Sequence, residues 1–153
     1  MLKFKILRWA LKIFICLCIL GISSNMYIIY LSNSEDIPLV KMEITSFFIS
    51  TATILLLTTS LFFIHQSFTS FLKKSFFNLE SASHLTKGGY LLAITGLMCF
   101  TIDMTKLSTI SQYTFIVNTS TNCLLLIVGF GITAIADIIV KGENIKREND
   151  LTI

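Results

Sequence analysis

The chain has 153 residues, of which 54% are hydrophobic and only 14% are charged, and its mean hydropathy is +0.78. A water-soluble domain carries roughly 25% charged residues, so this composition leaves too little polar surface to face water on all sides. The net charge of +3 does not indicate nucleic-acid binding, because the basic residues flank apolar runs and set membrane topology. We expect one integral membrane domain over residues 1–153, with no direct nucleic-acid contact.

Four uncharged runs are candidate membrane spans, and all but the third exceed the roughly 20 apolar residues that a helix needs to cross a bilayer. The third run, residues 88–102, has only 15 residues and is about 22 Å long as a helix. It spans only if residues 85–87 extend it inward and Asp103 lies at the outer interface. The sequence therefore predicts an all-α, four-helix transmembrane bundle. The predicted helices cover residues 8–31, 44–70, 87–104 and 112–140, and a tail follows at 141–153.

The basic residues ahead of the first run also resemble the start of a secretory signal. The apolar stretch continues to Leu31, however, which is longer than the usual hydrophobic region of such a signal. No convincing small-residue cleavage site follows it. A retained first helix is the favoured interpretation, and a cleaved signal is the alternative.

Lysine and arginine are distributed unequally over the predicted loops. Ten of the twelve lie in the N-terminal segment, the middle loop and the tail, whereas Lys41 and Lys106 alone lie in the other two loops. Because positively charged loops stay in the cytoplasm, both termini are predicted to be cytoplasmic. This pattern requires four crossings, so it also favours the short third helix. We expect a multi-pass protein of a bacterial inner membrane.

Residues 71–86, between the second and third helices, follow the pattern of an amphipathic helix. Apolar side chains recur every three or four positions, with Lys73 and Lys74 between them. In one interpretation this interfacial segment lies on the inner leaflet, where both lysines meet anionic lipid headgroups. In the other, the second helix simply continues into the cytoplasm. Gly88-Gly89 is predicted to break the helical pattern before the third span.

Three more glycines, Gly96, Gly129 and Gly131, lie within the predicted spans. Small residues allow helices in a membrane to approach closely. These glycines do not form a Gly-x-x-x-Gly pair, so the packing signal is modest.

Polar side chains in the spans are the first candidates for a binding site, because a bilayer core makes them costly. Asn25, Ser50, Asn118 and Asn122 all fall in the predicted outer half, and the last two share a helix face. One interpretation is a small polar cavity open to the outside. The favoured alternative is interhelical hydrogen bonding, each bond contributing about 1 kcal/mol or less.

No catalytic, cofactor or metal signature is present. The four cysteines lie in apolar runs without a Cys-x-x-Cys pair, and His65 and His84 have no patterned third ligand. Asp103 and Asp137 fall at span ends, whereas an ion-coupled transporter needs a carboxylate near the midplane. No nucleophile has a placed base. We therefore predict that the protein is not an enzyme and holds no cofactor or metal.

The tail, residues 141–153, has the most specific pattern, and its last six residues are Glu-Asn-Asp-Leu-Thr-Ile. It resembles the end of a family of small bacterial membrane proteins of unknown function with four predicted transmembrane helices. The middle loop fits that family at Phe76 and Gly88. Ser75 stands where the family usually has proline, and Glu80 stands where it usually has asparagine.

Members of that family are commonly encoded beside a Cro/CI-type helix-turn-helix regulator. The resemblance therefore implies a membrane partner that holds, senses for or antagonises the regulator. Glu148, Asp150, Leu151 and Ile153 are the candidate docking residues, since a charged helix with an apolar end fits a groove or adds a strand. A solvated helix end is the alternative.

Two functions follow from these observations. The first is a non-enzymatic regulatory or sensory partner of such a regulator, anchored in the lipid bilayer. The alternative is a small transporter or permeability protein with the polar cavity described above, which would have to be a homo-oligomer because four helices make a thin wall.

Overall fold

The computed structural model describes residues 2–32, 44–73 and 78–150. They form four helices in chain order: α1 (Leu2–Ser32), α2 (Ile44–Lys73), α3 (Leu79–Thr105) and α4 (Gln112–Asp150). All four are long and apolar enough to cross a membrane. The predicted all-α fold with four candidate spans, including the third, is therefore confirmed.

The third helix is longer than its uncharged run. It has 27 residues, about 40 Å, and begins after Asn78, whose Oδ1 accepts a hydrogen bond from the Ser81 backbone N–H at 2.9 Å. The predicted break at Gly88-Gly89 is wrong, because α3 continues through both glycines. Their missing side chains are used for helix packing instead of a turn. Residues 79–86 of the predicted interfacial segment thus form the first turns of α3.

The spatial order of the helices is their chain order. α1 packs on α2, α2 on α3 and α3 on α4, each antiparallel to the last; among the described residues no Cα of α1 lies within 8 Å of a Cα of α4. We call the end at which α1 begins and α4 ends the terminal end. There the ring centroid of Phe4 lies 5.9 Å from that of Phe68 and 6.4 Å from that of Phe71. The separation of α1 from α4 leaves an open cleft.

Small hydroxyl residues join α2 to α3. Ser60 Oγ donates to the Gly88 carbonyl at 2.7 Å, and Ser67 Oγ donates to the Ser81 carbonyl at 2.8 Å. All three serines are fully buried. In a membrane such residues allow close backbone approach and satisfy their own hydroxyl groups, which is why they occur at helix contacts.

Glycines join α3 to α4. A Cβ atom on Gly89 would lie 2.7 Å from the Gly129 carbonyl oxygen, and one on Gly96 would lie 2.8 Å from the Asn122 carbonyl oxygen. Buried Ala93 lies between these two glycines on the same face of α3. The two backbones are therefore in contact along this seam, and the packing signal is stronger than the sequence spacing indicated.

Large apolar side chains point outward on every helix. Phe48, Ile127 and Ile138 each expose about two thirds of their surface. A continuous apolar exterior of this kind is unstable in water and is solvated by lipid tails in a bilayer. The buried interior is correspondingly small, and its principal apolar cluster is Ala82, Leu85, Ala136 and Ile139.

Candidate functional site

The four polar residues predicted to share a cavity form two separate sets. In the first set, Asn25 of α1 donates from Nδ2 to Ser50 Oγ of α2 at 2.9 Å. Ser50 Oγ is also 3.3 Å from the Phe47 carbonyl, to which it donates. Both polar side chains are half-buried and satisfied within the protein.

The second set is built on Asp103, at the end of α3 far from the terminal end. Asn122 Nδ2 of α4 donates to Asp103 Oδ2 at 2.6 Å, and Asn118 Nδ2 is 3.5 Å from Oδ1. The first distance is that of a strong charge-assisted hydrogen bond, whereas the second is at the long limit. Asn122 is only 8% exposed, so this bond lies inside the α3–α4 contact.

No hydrogen bond between described residues joins the two sets. The amides face their partners on the neighbouring helix and tie α1 to α2 and α3 to α4. Asn118 and Asn122 both face Asp103, a partner that their four-residue spacing does not predict. The sequence feature that could have indicated this contact is the placement of Asp103 near the end of α3 and of the two asparagines in the first half of α4, because a short loop joins these helices.

A polar groove lies between α2 and α3 near the terminal end, with a volume of about 560 Å³. It brings His65 and His84 together with Lys73, the last residue of α2. The ring of His84 stacks on the ring of Phe63 with 6.1 Å between their centroids, and Lys87 Nζ lies 5.9 Å from the centroid of the Phe63 ring. Within the described ranges no three potential ligands are close enough to hold a metal ion. Lys74, the other predicted lipid anchor, lies outside those ranges.

An apolar cleft of about 550 Å³ lies between α1 and α4. Helix-face patterns did not predict it, because they do not show that α1 and α4 stand apart. Its lining is entirely apolar: Phe4, Leu7, Leu11, Leu61, Ile64, Phe68, Phe71, Leu85, Leu92, Val128, Ile132, Ile135 and Ile139.

The last described residues belong to α4, which continues to Asp150. Glu143 and Arg147, one turn apart, form an ion pair of 3.4 Å, and Ile145 is 60% exposed between them. Glu148 and Asp150 are exposed at the helix end. Leu151 and Ile153, the apolar part of the predicted docking tail, lie outside the described residues.

Four helices with apolar exteriors, each long and apolar enough to span a bilayer, indicate a membrane protein. The chain belongs to the family described as protein of unknown function (DUF2975), whose model matches residues 3–153. This confirms the predicted membership of a family of unknown function that covers nearly the whole chain. No curated protein and no solved structure matches the sequence.

Proposed function

We propose that the protein is a non-enzymatic regulatory membrane protein that holds a cytoplasmic helix-turn-helix regulator at the bilayer surface. The observation that supports this is the length of α4. Its 39 residues measure about 58 Å, nearly twice the roughly 30 Å of the hydrocarbon core. The helix therefore projects from the membrane as a continuous arm, and we assign residues 141–150 to that arm.

The surface of the arm suits a protein partner. Ile145 offers an exposed apolar anchor, and the Glu143–Arg147 ion pair stabilises the helix beside it by a few tenths of a kcal/mol. Gly142, Lys146 and Asn149 surround Ile145 in a shallow depression. Helices with one apolar anchor among charges bind in grooves of their partners. The identity of the partner, a Cro/CI-type regulator, is taken from the family resemblance and not from this geometry.

We further propose that the terminal end faces the bacterial cytoplasm from the inner membrane. Support comes from the basic residues that the structure describes, all of which except Lys106 lie in the half of the bundle at the terminal end. In this arrangement Lys73 and Lys74 meet anionic headgroups between α2 and α3, and the ends of those helices form the interfacial segment.

Reporter fusions should verify this orientation. Alkaline phosphatase is expected to be active when fused after residue 40 or 108 and inactive after residue 80 or 153, because it folds only outside the cytoplasm. Fusions to a fluorescent protein that folds only in the cytoplasm should give the opposite pattern and serve as the control. Active phosphatase at residue 153 would refute the proposed topology.

The tail can be tested with a matched pair of exposed neighbours. Ile145→Glu removes the apolar anchor and should reduce co-purification of the adjacently encoded regulator about tenfold, a loss usual for a central anchor residue. Asn144→Glu adds the same charge one position away and should leave co-purification unchanged, and deleting residues 150–153 should act like Ile145→Glu. If neither Ile145→Glu nor the deletion alters co-purification or target transcription, the regulatory proposal fails.

A transporter remains the second candidate from the sequence, with less support from the geometry. Asn25 donates to Ser50, whereas Asn118 and Asn122 donate to Asp103, so the four polar residues do not form one common site. A carboxylate already held by asparagine amides offers fewer open positions to a transported ion.

A further inference from the structure

The apolar cleft between α1 and α4 has the depth of one bilayer leaflet. Its α4 wall extends from Val128 to Ile139, a rise of about 16 Å, which is about half the thickness of the hydrocarbon core. Its α1 wall is formed by Phe4, Leu7 and Leu11, so it opens at the terminal end. The cleft therefore runs from that end of the bundle to about the middle of the membrane.

We propose that this cleft is a lipid site that holds one acyl chain of an anionic phospholipid from the leaflet at the terminal end. The open apolar cleft of about 550 Å³ offers dispersion contacts on its walls to an apolar chain that enters from the leaflet. The proposal rests on the membrane location of the helices. It does not depend on the regulator.

The size of the lining residues favours an acyl chain over another helix. α3 meets α2 through buried serines and meets α4 through Gly89 and Gly129, and these small residues bring the backbones together. The cleft contains no glycine, alanine or serine, and all its lining residues are valine, leucine, isoleucine or phenylalanine. A second helix would meet bulky, irregular side chains there, whereas a flexible hydrocarbon chain can follow them.

Basic residues near the terminal end of the bundle favour an anionic headgroup. Arg8 lies on α1 four residues after Phe4 and three before Leu11, two residues of the cleft wall, and its Nε is buried without a hydrogen-bond acceptor among the described residues. Lys5 and Lys141 are exposed near the same end of the bundle. A phosphate oxygen is the acceptor that a guanidinium binds best at a membrane surface. Basic sites between transmembrane helices select anionic lipids for this reason.

An acyl chain alone would give little selectivity, because lipid tails are as apolar as the cleft. The two halves of the proposed site therefore have different roles. The cleft selects by shape and slows exchange with bulk lipid, and Arg8 selects the headgroup.

The test is native mass spectrometry of the full chain released from detergent with equal amounts of phosphatidylglycerol and phosphatidylcholine of the same acyl composition. The unmodified protein should retain one phosphatidylglycerol with a preference of about fivefold, the size expected for one basic group near an anionic lipid. Arg8→Gln should still retain one lipid but should lose that preference. Retention of no lipid, or equal retention of both by the unmodified protein, would overturn the proposal.

The cleft itself is tested by a matched pair on α4. Ile135→Trp fills the cleft and should reduce retained lipid about fivefold or more, whereas Ile138→Trp, which points outward, should change nothing. Helical circular dichroism and elution volume establish that both variants fold, and Leu7→Trp on the opposite wall replaces Ile135→Trp if that variant does not. The proposal would be overturned if the cleft and outward substitutions reduced retained lipid equally. It would also be overturned if the unmodified protein formed a dimer in place of binding lipid and the cleft variant lost that dimer.

Discussion

Replacing Gly129 with alanine should lower the free energy of unfolding by about 2–3 kcal/mol, the upper range for an overpacked contact. The new Cβ would lie 2.6 Å from the Ala93 backbone nitrogen and 2.7 Å from the Gly89 carbonyl oxygen. Both atoms belong to the backbone, so no side chain can rotate away. The two helices must separate, and separation weakens the whole α3–α4 seam.

Gly131→Ala supplies the matched control, since nothing lies within 4 Å of a Cβ at that position. Alanine is the better helix former by about 1 kcal/mol, so this variant should be as stable as the unmodified protein or slightly more stable. Reversible unfolding in mixed lipid and detergent micelles, followed by circular dichroism, measures both. An equal loss of stability in the two variants would show that the close α3–α4 contact does not exist in the membrane.

This pair of glycines also shows the limit of what the sequence predicts. The four spans follow from apolar length and the distribution of lysine and arginine, because a bilayer accepts few other arrangements. Gly129 and Gly131, however, lie in the same apolar run and differ only by about 200° around the helix axis. Which of these glycines contacts α3 depends on the rotation of α4 about its axis. The sequence does not indicate that rotation, because an apolar run surrounded by lipid has no polar face.

The unknown rotation of the helices also explains why a helix break was wrongly predicted at Gly88-Gly89. A glycine pair between an amphipathic stretch and an apolar run usually indicates a break. Here Gly88 faces α2, where a Cβ would lie 3.1 Å from the Ser60 carbonyl oxygen, and Gly89 faces α4. One residue therefore serves each neighbouring helix. The pairing becomes visible only when the positions of all three helices are known.

The polar residues were predictable to an intermediate degree. Spacing alone predicted that Asn118 and Asn122 lie on one face, and the structure shows an interhelical hydrogen bond in each set. Their carboxylate partner and the separation from Asn25 depend on the order in which the helices pack. The apolar cleft was not predictable at all, because it results from α1 and α4 standing apart.

Asn122→Leu should be the most costly change among the polar residues, lowering the free energy of unfolding by about 2 kcal/mol. It removes the amide that donates to Asp103 Oδ2 at 2.6 Å and leaves that carboxylate without its principal partner. Asn118→Leu should cost much less, about 0.5 kcal/mol, because its amide is 3.5 Å from the other carboxylate oxygen. The two leucines have the same volume and lie one turn apart on α4, so each controls for the other.

A double-mutant cycle distinguishes a structural hydrogen bond between Asn122 and Asp103 from an Asp103 carboxylate that is open to a ligand. If Asp103 and Asn122 act as a pair, the double variant Asp103→Leu/Asn122→Leu should lose about 1–2 kcal/mol less free energy of unfolding than the two single variants lose in sum. The reason is that no unpaired carboxylate remains in the double variant. Reversible unfolding of the four proteins measures this coupling. Additive losses would mean that Asp103 does not rely on Asn122 for its stability. The carboxylate would then be open to a ligand, and the transporter would become the better account of these residues.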